Sequence, residues 1–334
     1  MNLQYIFRLT VALIALLAGV FYYICYTPGL VQRAAPAFIE KHIPEVSLRS
    51  LHIGGQSLAY PEVLKLYDIK AQVEWQDEIY HIEIAEFDFL NFQTFIRLQQ
   101  QALLEFVGLN IERKNFKVVG AALSLKANLD TKGFKNCEVV VSNGEVMIPP
   151  YRVTRVQTKI QASGEGFKIP EFQGQAYGGW VKGSVDVTFG KKTSEVVQIE
   201  FKDFKSLDLE DVNKALFSQL QGDVNGTLRL TRLDGLIQVF AIMAEMPKEG
   251  SMTTALAKKI GSYMTDEENR NKAMAMIDKQ GKLDFDSAQI RILNLNPNLA
   301  GVTITLENKK EDFRIHETTN VDFARILKKV DWKQ

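Results

Sequence analysis

From residue 69 the chain alternates. Ile69, Ala71, Val73 and Trp75 sit between polar neighbours, and Tyr80, Ile82 and Ile84 repeat the pattern. Period two is the signature of a strand with one buried face. The phase then slips, and Phe87 and Phe89 carry the next stripe. A slip of one residue moves side chains to the opposite face, so a bulge or bend is expected near Ala85 and Glu86. Further strands are predicted over residues 109–112, 116–119, 122–128, 138–142 and 145–148. Asn143-Gly144 separates the last two, and this dipeptide is the strongest short hairpin signal. Residues 94–108 read as a short helix or a connection between strands.

The second half keeps the habit, with strands expected over 153–162, 168–172, 181–189, 195–201, 223–231, 235–241, 282–286, 289–293, 302–307 and 313–316. Two insertions switch to helical spacing. In residues 208–222, Asp208 can cap the start, Leu209, Val212, Leu216 and Leu220 share a face, and Gly222 can stop the turn. Residues 252–280 form two pieces, the second headed by Thr265 and Glu268 at capping-box spacing. The expected fold is therefore mainly β: a long curved antiparallel sheet, an open groove or sandwich-like, with short helical insertions. One N-terminal transmembrane helix completes it.

That helix is residues 9–27 (LTVALIALLAGVFYYICYT), nineteen residues without a charge. At about 1.5 Å per residue it reaches roughly 29 Å, close to a hydrocarbon core of roughly 30 Å. Tyr22, Tyr23 and Tyr26 mark an interfacial belt, and Pro28-Gly29 ends the run. The competing reading is a cleaved signal peptide, with Ala35-Pro36-Ala37 as its small-x-small site. Residues 1–8 then form a cytoplasmic tail, 28–60 a linker with a short amphipathic helix, and 61–334 an extracytoplasmic β domain. Arg8 lies on one side of the anchor and Arg33 and Lys41 on the other, so flanking charge does not orient it.

Composition narrows the partners. The 334 residues carry forty basic and forty acidic side chains, which leaves no net field to attract nucleic acid. The Lys-Lys pairs at 191, 258, 309 and 328 read as solvated turn or helix positions. Two cysteines, Cys25 and Cys137, exclude a disulfide-stapled scaffold and a thiolate zinc site.

The glycine cluster FQGQAYGGWVKGSVDVTF, residues 172–189, is the stretch most like a cofactor loop. A dinucleotide loop needs Gly-x-Gly-x-x-Gly between a strand and a helix. Gly174, Gly178, Gly179 and Gly183 have the wrong spacing, and strict alternation follows them. The cluster therefore reads as a turn between strands, flanked by Tyr177 and Trp180; SGEGF at 163–167 fails the same test. His42, His52, His81 and His316 are scattered, which gives a metal no starting point. GQSLA at 55–59 lacks the final glycine of a nucleophile elbow. Glu83, Glu86 and Asp88 alternate with apolar residues and read as a strand's solvent face, and Asn225-Gly226-Thr227 is a chance-length glycosylation match. No catalytic, metal or cofactor residue is assigned, and the chain reads as non-enzymatic.

What remains is the apolar stripe itself. Its candidate lining is Val181, Val185, Val187, Phe189, Val197, Ile199, Phe201, Leu228, Leu230, Val302, Ile304 and Leu306. An antiparallel sheet can leave one face open, and an open apolar face needs helices, another copy or lipid tails to cover it. The other reading is the core of a closed sandwich.

The stretch IPEFQGQAYGGWVKGSVDVTF, the helix in SLDLEDVNKALFSQLQGDVNGTLRL and the tail GKLDFDSAQIRILNLNPNLAGVTITLENKKEDFRI together resemble the AsmA-like family, best over residues 165–315. The anchor followed by IYHIEIAEFDFLNF is compatible with it. The resemblance implies an anchor in the bacterial inner membrane and a groove-like periplasmic sheet. It also implies apolar lining that holds phospholipid acyl chains in the service of outer-membrane lipid homeostasis. This chain is shorter than the bridging members: about sixteen strands at roughly 4.8 Å reach only about 75 Å. It is expected to act as a shuttle, as a homo-oligomer or with an envelope protein partner. A structural or assembly subunit of an envelope machine, such as the N component of type II secretion, is the alternative.

Overall fold

The computed structural model describes residues 46–59, 63–75, 77–91, 94, 101–130, 133–190, 192–262, 264, 266–296 and 298–323. The expected anchor at 9–27 and the expected amphipathic helix lie outside these residues. Among the described residues no helix is long and apolar enough to cross a membrane.

The chain is mainly β. Its strands are β1 (Val46–Ala59), β2 (Val63–Trp75), β3 (Glu78–Phe89), β4 (Gln101–Arg113), β5 (Phe116–Asp130), β6 (Gly133–Ile148), β7 (Tyr151–Ser163), β8 (Gly166–Ala176), β9 (Gly179–Thr188) and β10 (Ser194–Lys205). After helix α1 (Glu210–Phe217) come β11 (Leu220–Gln221), β12 (Asp223–Leu233), β13 (Leu236–Met246) and β14 (Gly250–Thr253). Helices α2 (Thr254–Gly261) and α3 (Glu267–Gln280) precede β15 (Lys282–Phe285), β16 (Ser287–Asn296), β17 (Leu299–Asn308) and β18 (Phe313–Asp322). Fifteen strands form one antiparallel sheet in the order β1 to β10, β12, β13, β16, β17, β18, and β11, β14 and β15 form a separate small sheet. The chain divides into two compact units, Met1–Ile169 and Pro170–Gln334. Each is described by itself.

In the first unit, one residue per strand breaks the alternation at the same level. Asp68 (φ 50°) in β2, Gly108 (φ 66°) in β4, Gly120 (φ 64°) in β5, Asn143 (φ 55°) in β6 and Arg155 (φ 52°) in β7 all take left-handed conformations. The register places them beside one another: Gly54 of β1 lies opposite Asp68, and Ala85 of β3 lies between Asp68 and Gly108. The β4–β5, β5–β6 and β6–β7 ladders all shift register or skip pairs at this line. A bulge inserts one unpaired residue, bends its strand and increases local twist. A row of bulges therefore bends the sheet along a line while keeping one apolar face continuous. Buried positions run Leu64, Leu66, then Ile69 in β2, and Ile84, then Phe87, Phe89 in β3. The expected slip at Ala85 and Glu86 is thus real, and it recurs along the row.

Those bulges also correct the expected boundaries. Residues 116–119 and 122–128 are one strand, β5, which passes through Gly120. Asn143-Gly144 is not a hairpin: β6 runs through it, pairing with β5 and β7 on both sides. Residues 101–108 belong to β4 rather than to a helix or connection. Among the described residues the sheet starts at Val46, inside the stretch expected to be a linker.

In the second unit the helical insertions are present with different ends. The first helix is Glu210–Phe217, its N-cap is Leu209 without a side-chain bond, and Asn213 leaves helical geometry. Asn213 Oδ1 accepts from Leu216 N at 3.1 Å, which restarts the turn. Asp208 is therefore not the cap. Leu220 already belongs to β11, so Gly222 does not stop the helix. Met252 lies in β14, and Thr253 caps α2 by accepting from Leu256 N. Asp266, not Thr265, caps α3, accepting from Glu268 N and Asn269 N. Two-residue turns with positive φ at both positions, Tyr177-Gly178 and Asp234-Gly235, close β8–β9 and β12–β13, as type I′ hairpins require.

Candidate functional site

The second unit places nearly all of the sequence-derived lining residues on one face, because directly paired residues of an antiparallel ladder point the same way. One row crosses the strands as Ile199, Leu228, Ile242, Ile292 and Val302. A second joins Val185, Val197, Leu230 and Phe240. A third joins Val181, Phe201, Gly226, Ala244, Ile290 and Ile304. Leu306 extends the face beside Ala288 and Ile315, and Val187 lies opposite Glu195. Phe189 falls just past the end of β9 and is outside the ladder.

Burial separates this face from the sealed core of the first unit. There, Phe87, Phe89, Leu66 and Ala127 are 0–1% exposed, as in an ordinary core. In the second unit Val181, Val187 and Leu306 are buried. Val185, Phe189, Val197, Ile199, Phe201, Leu228, Leu230, Val302 and Ile304 stay half-buried, and Ile290 is 36% exposed. The middle of the face is neither sealed nor fully wet.

Its two ends are closed by different means. At one end Phe323, following β18, packs at a tilt against Phe240 with ring centroids 5.3 Å apart and clusters with Ala300. Phe323 N donates to Asn298 O at 2.9 Å, which fixes the ring there. At the other end Tyr177, Phe201 and Phe204 form an aromatic group, with Phe201 and Phe204 5.0 Å apart. The helical insertion completes that end: α2 and α3 pack with β15, and Leu256, Ala273, Ile277, Leu283 and Phe285 are buried. Beside β15 a polar cleft of about 420 Å³ is lined by residues that include Lys282, Asp284, Asn308 and Lys310. Its cations pair locally, Lys282 with Asp284 at 2.9 Å and Lys310 with Glu249 at 3.1 Å.

Sequence reasoning missed Phe240, Ile242, Ala244, Ile290 and Ile292, the middle strands of the face. In LIQVFAIMAEM apolar residues fall on both faces, so alternation gives no phase. Ile290, Ile292 and Leu293 blur β16 in the same way.

The remaining sequence candidates stay apart. Ser57 lies in a strand, 3.4 Å from Tyr67 Oη, without a following helix. His52, His81 and His316 are exposed, and His42 lies outside the described residues. Among the described residues no group of His, Cys, Asp or Glu is arranged to hold a metal ion. Lys65 bridges Glu86 and Asp88 at 2.8 and 2.6 Å, and these hydrogen bonds hold its pKa well above the usual lysine range. Asn225 accepts from Asp203 N at 2.8 Å, inside β12. The glycine cluster is a turn, with Tyr177 rather than Gly179 joining Gly178 at positive φ. No family model, no curated protein and no solved structure matches the chain.

Proposed function

We propose that the half-buried face of the second unit binds lipid acyl chains. On this reading the chain is anchored in the bacterial inner membrane by residues 9–27 and handles or transfers phospholipid in the periplasm, without chemistry of its own. One observation carries the reading: eight of the twelve lining candidates sit on a continuous apolar face yet remain partly exposed. Seven strands of the large sheet, from β9 to β18, span about 29 Å at roughly 4.8 Å each, and a contiguous apolar face that stays partly exposed marks a binding surface. A hydrocarbon chain satisfies such a surface because it removes apolar area from water and demands no hydrogen bonds. The resemblance to AsmA-like proteins supports the same ligand class.

Mass spectrometry of lipids released from fragment 30–334 tests the proposal. Phospholipid recovered in stoichiometric amount from the native fragment, and lost from Ile199→Asp/Leu228→Asp, is the expected result. A lipid-free fragment with a stoichiometric protein partner favours an assembly subunit of an envelope machine instead.

A further inference from the structure

We infer that residues 324–334 dock as an amphipathic helix on the half-open apolar face, along the row Phe240, Leu230, Val197 and Val185. The chain reaches that face before it leaves the described residues. Phe323 is the first helical residue after β18, and it is 1% exposed beside Phe240 and Ala300. Leu228, Leu230, Ile237, Ile242 and Ile292 pack against the same cluster. The segment that follows therefore starts over β12 and β13, well inside the edge of the sheet.

Sequence and length both fit this course. Residues 324–334 lie outside the described residues, and their sequence, ARILKKVDWKQ, follows Phe323 with Ile326, Leu327 and Val330. Apolar residues at i, i+3, i+4 and i+7 make one stripe of a helix, and Arg325, Lys328 and Lys329 fall off it. The row from Phe240 to Val185 crosses β13, β12, β10 and β9. Three strand spacings of roughly 4.8 Å make about 14 Å. Eleven helical residues at about 1.5 Å each reach roughly 16 Å. At the same rise Val330 lies about 10 Å beyond Phe323, two spacings along, over Val197. Leu230, Val197 and Val185 are half-buried. A helix stripe takes such side chains out of water without needing a hydrogen bond, as an acyl chain does. Because the segment is tethered, it competes with lipid intramolecularly, and the face holds one or the other. That exclusion rests on the acyl-chain reading above; the docking itself does not.

The test is crosslinking of the full chain in nanodiscs by a short bifunctional thiol reagent that a reductant releases, with Cys25→Ser and Cys137→Ala removing the native thiols. Val330→Cys with Val197→Cys is expected to link within one chain. Val330→Cys with Gln198→Cys, on the exposed side of the same strand, is expected not to link. A diazirine-bearing phospholipid supplies the second arm. Its labelling of Ile199 and Leu228 is expected to fall about tenfold in the linked form, to recover on reduction, and to rise about threefold in Ile326→Asp/Val330→Asp. Equal linking at positions 197 and 198, no linking, a link between two copies, or undiminished labelling of the linked form overturns the inference. If the face is unlabelled in every form, Ile326→Asp/Val330→Asp included, the acyl-chain reading fails instead, and the 197 and 198 links alone decide whether the segment docks.

Discussion

Gly226 lies directly opposite Phe201, and a Cβ at Gly226 meets both that ring and the carbonyl of Met243. The aromatic ring thus covers backbone that has no side chain of its own, a device known to hold strand glycines in place. Gly226→Ala is expected to cost about 1–3 kcal/mol by overpacking. The part of that cost due to the ring should disappear in the Phe201→Leu background, whereas the part due to the Met243 carbonyl stays, and urea denaturation of the four combinations measures the coupling. At Cys137 burial pushes the thiol up to about 11 from an ordinary 9.0. Between these values the native thiol keeps a proton that the unfolded chain releases, so stability falls as pH rises through the window. The urea midpoint is expected to drop from about pH 9 to about pH 11 by more in the native chain than in Cys137→Ala. An equal drop in both contradicts the assignment. Neither feature can be read from the residues alone. Gly226 sits in a tripeptide that suggests glycosylation, and Cys137 carries no sign of its depth.

At the scale of the element, the row of left-handed residues in the first unit explains both what alternation reveals and where it misleads. Alternation locates almost every strand, because a half-buried ladder forces apolar residues to every second position. A bulge interrupts this by one residue, and in a single chain that interruption looks like a turn. Gly120 split β5, and Asn143-Gly144 suggested a hairpin inside β6, for that one reason. Only the pairing of neighbours distinguishes the cases: the residues on both sides of Asn143 share the same partner strands. Asn143→Gly is therefore expected to be neutral or slightly stabilising at φ 55°, whereas Asn143→Val costs about 1–3 kcal/mol. Thermal unfolding of the pair checks this, and a well-tolerated valine contradicts the bulge. Helix ends were legible only approximately. Asp266 and Thr265 are both good caps by residue type, and the geometry of the first turn decides between them.

For the whole molecule, the informative contrast is between two faces built by the same alternation. The face of the first unit is closed to solvent along β2 to β4 and half-buried over β5 to β7, at Leu123, Val141, Val153 and Ile160, and that of the second is half-open across most of its strands. The lining of the second was legible strand by strand, as Val181 to Leu306 show, because each strand carries its own period. Its openness was not, since the cover over a face comes from residues distant in sequence, here Phe323 and the α2–α3 insertion. Substitutions separate the two faces of the same strands. Ile199→Asp and Leu228→Asp are expected to abolish lipid retention and leave the fold intact, because the half-exposed positions let a carboxylate reach water. Gln198→Asp and Thr227→Asp, one residue away on the exposed side, should change nothing. Circular dichroism on each variant verifies the fold. The most direct measurement is photo-crosslinking of the full chain in nanodiscs by a phospholipid with a diazirine near the end of its acyl chain, followed by peptide mapping. Adducts concentrated on Ile199, Phe201, Leu228, Ile242, Ile290 and Val302 are the predicted result. Adducts confined to residues 9–27, with none on the second unit, contradict it.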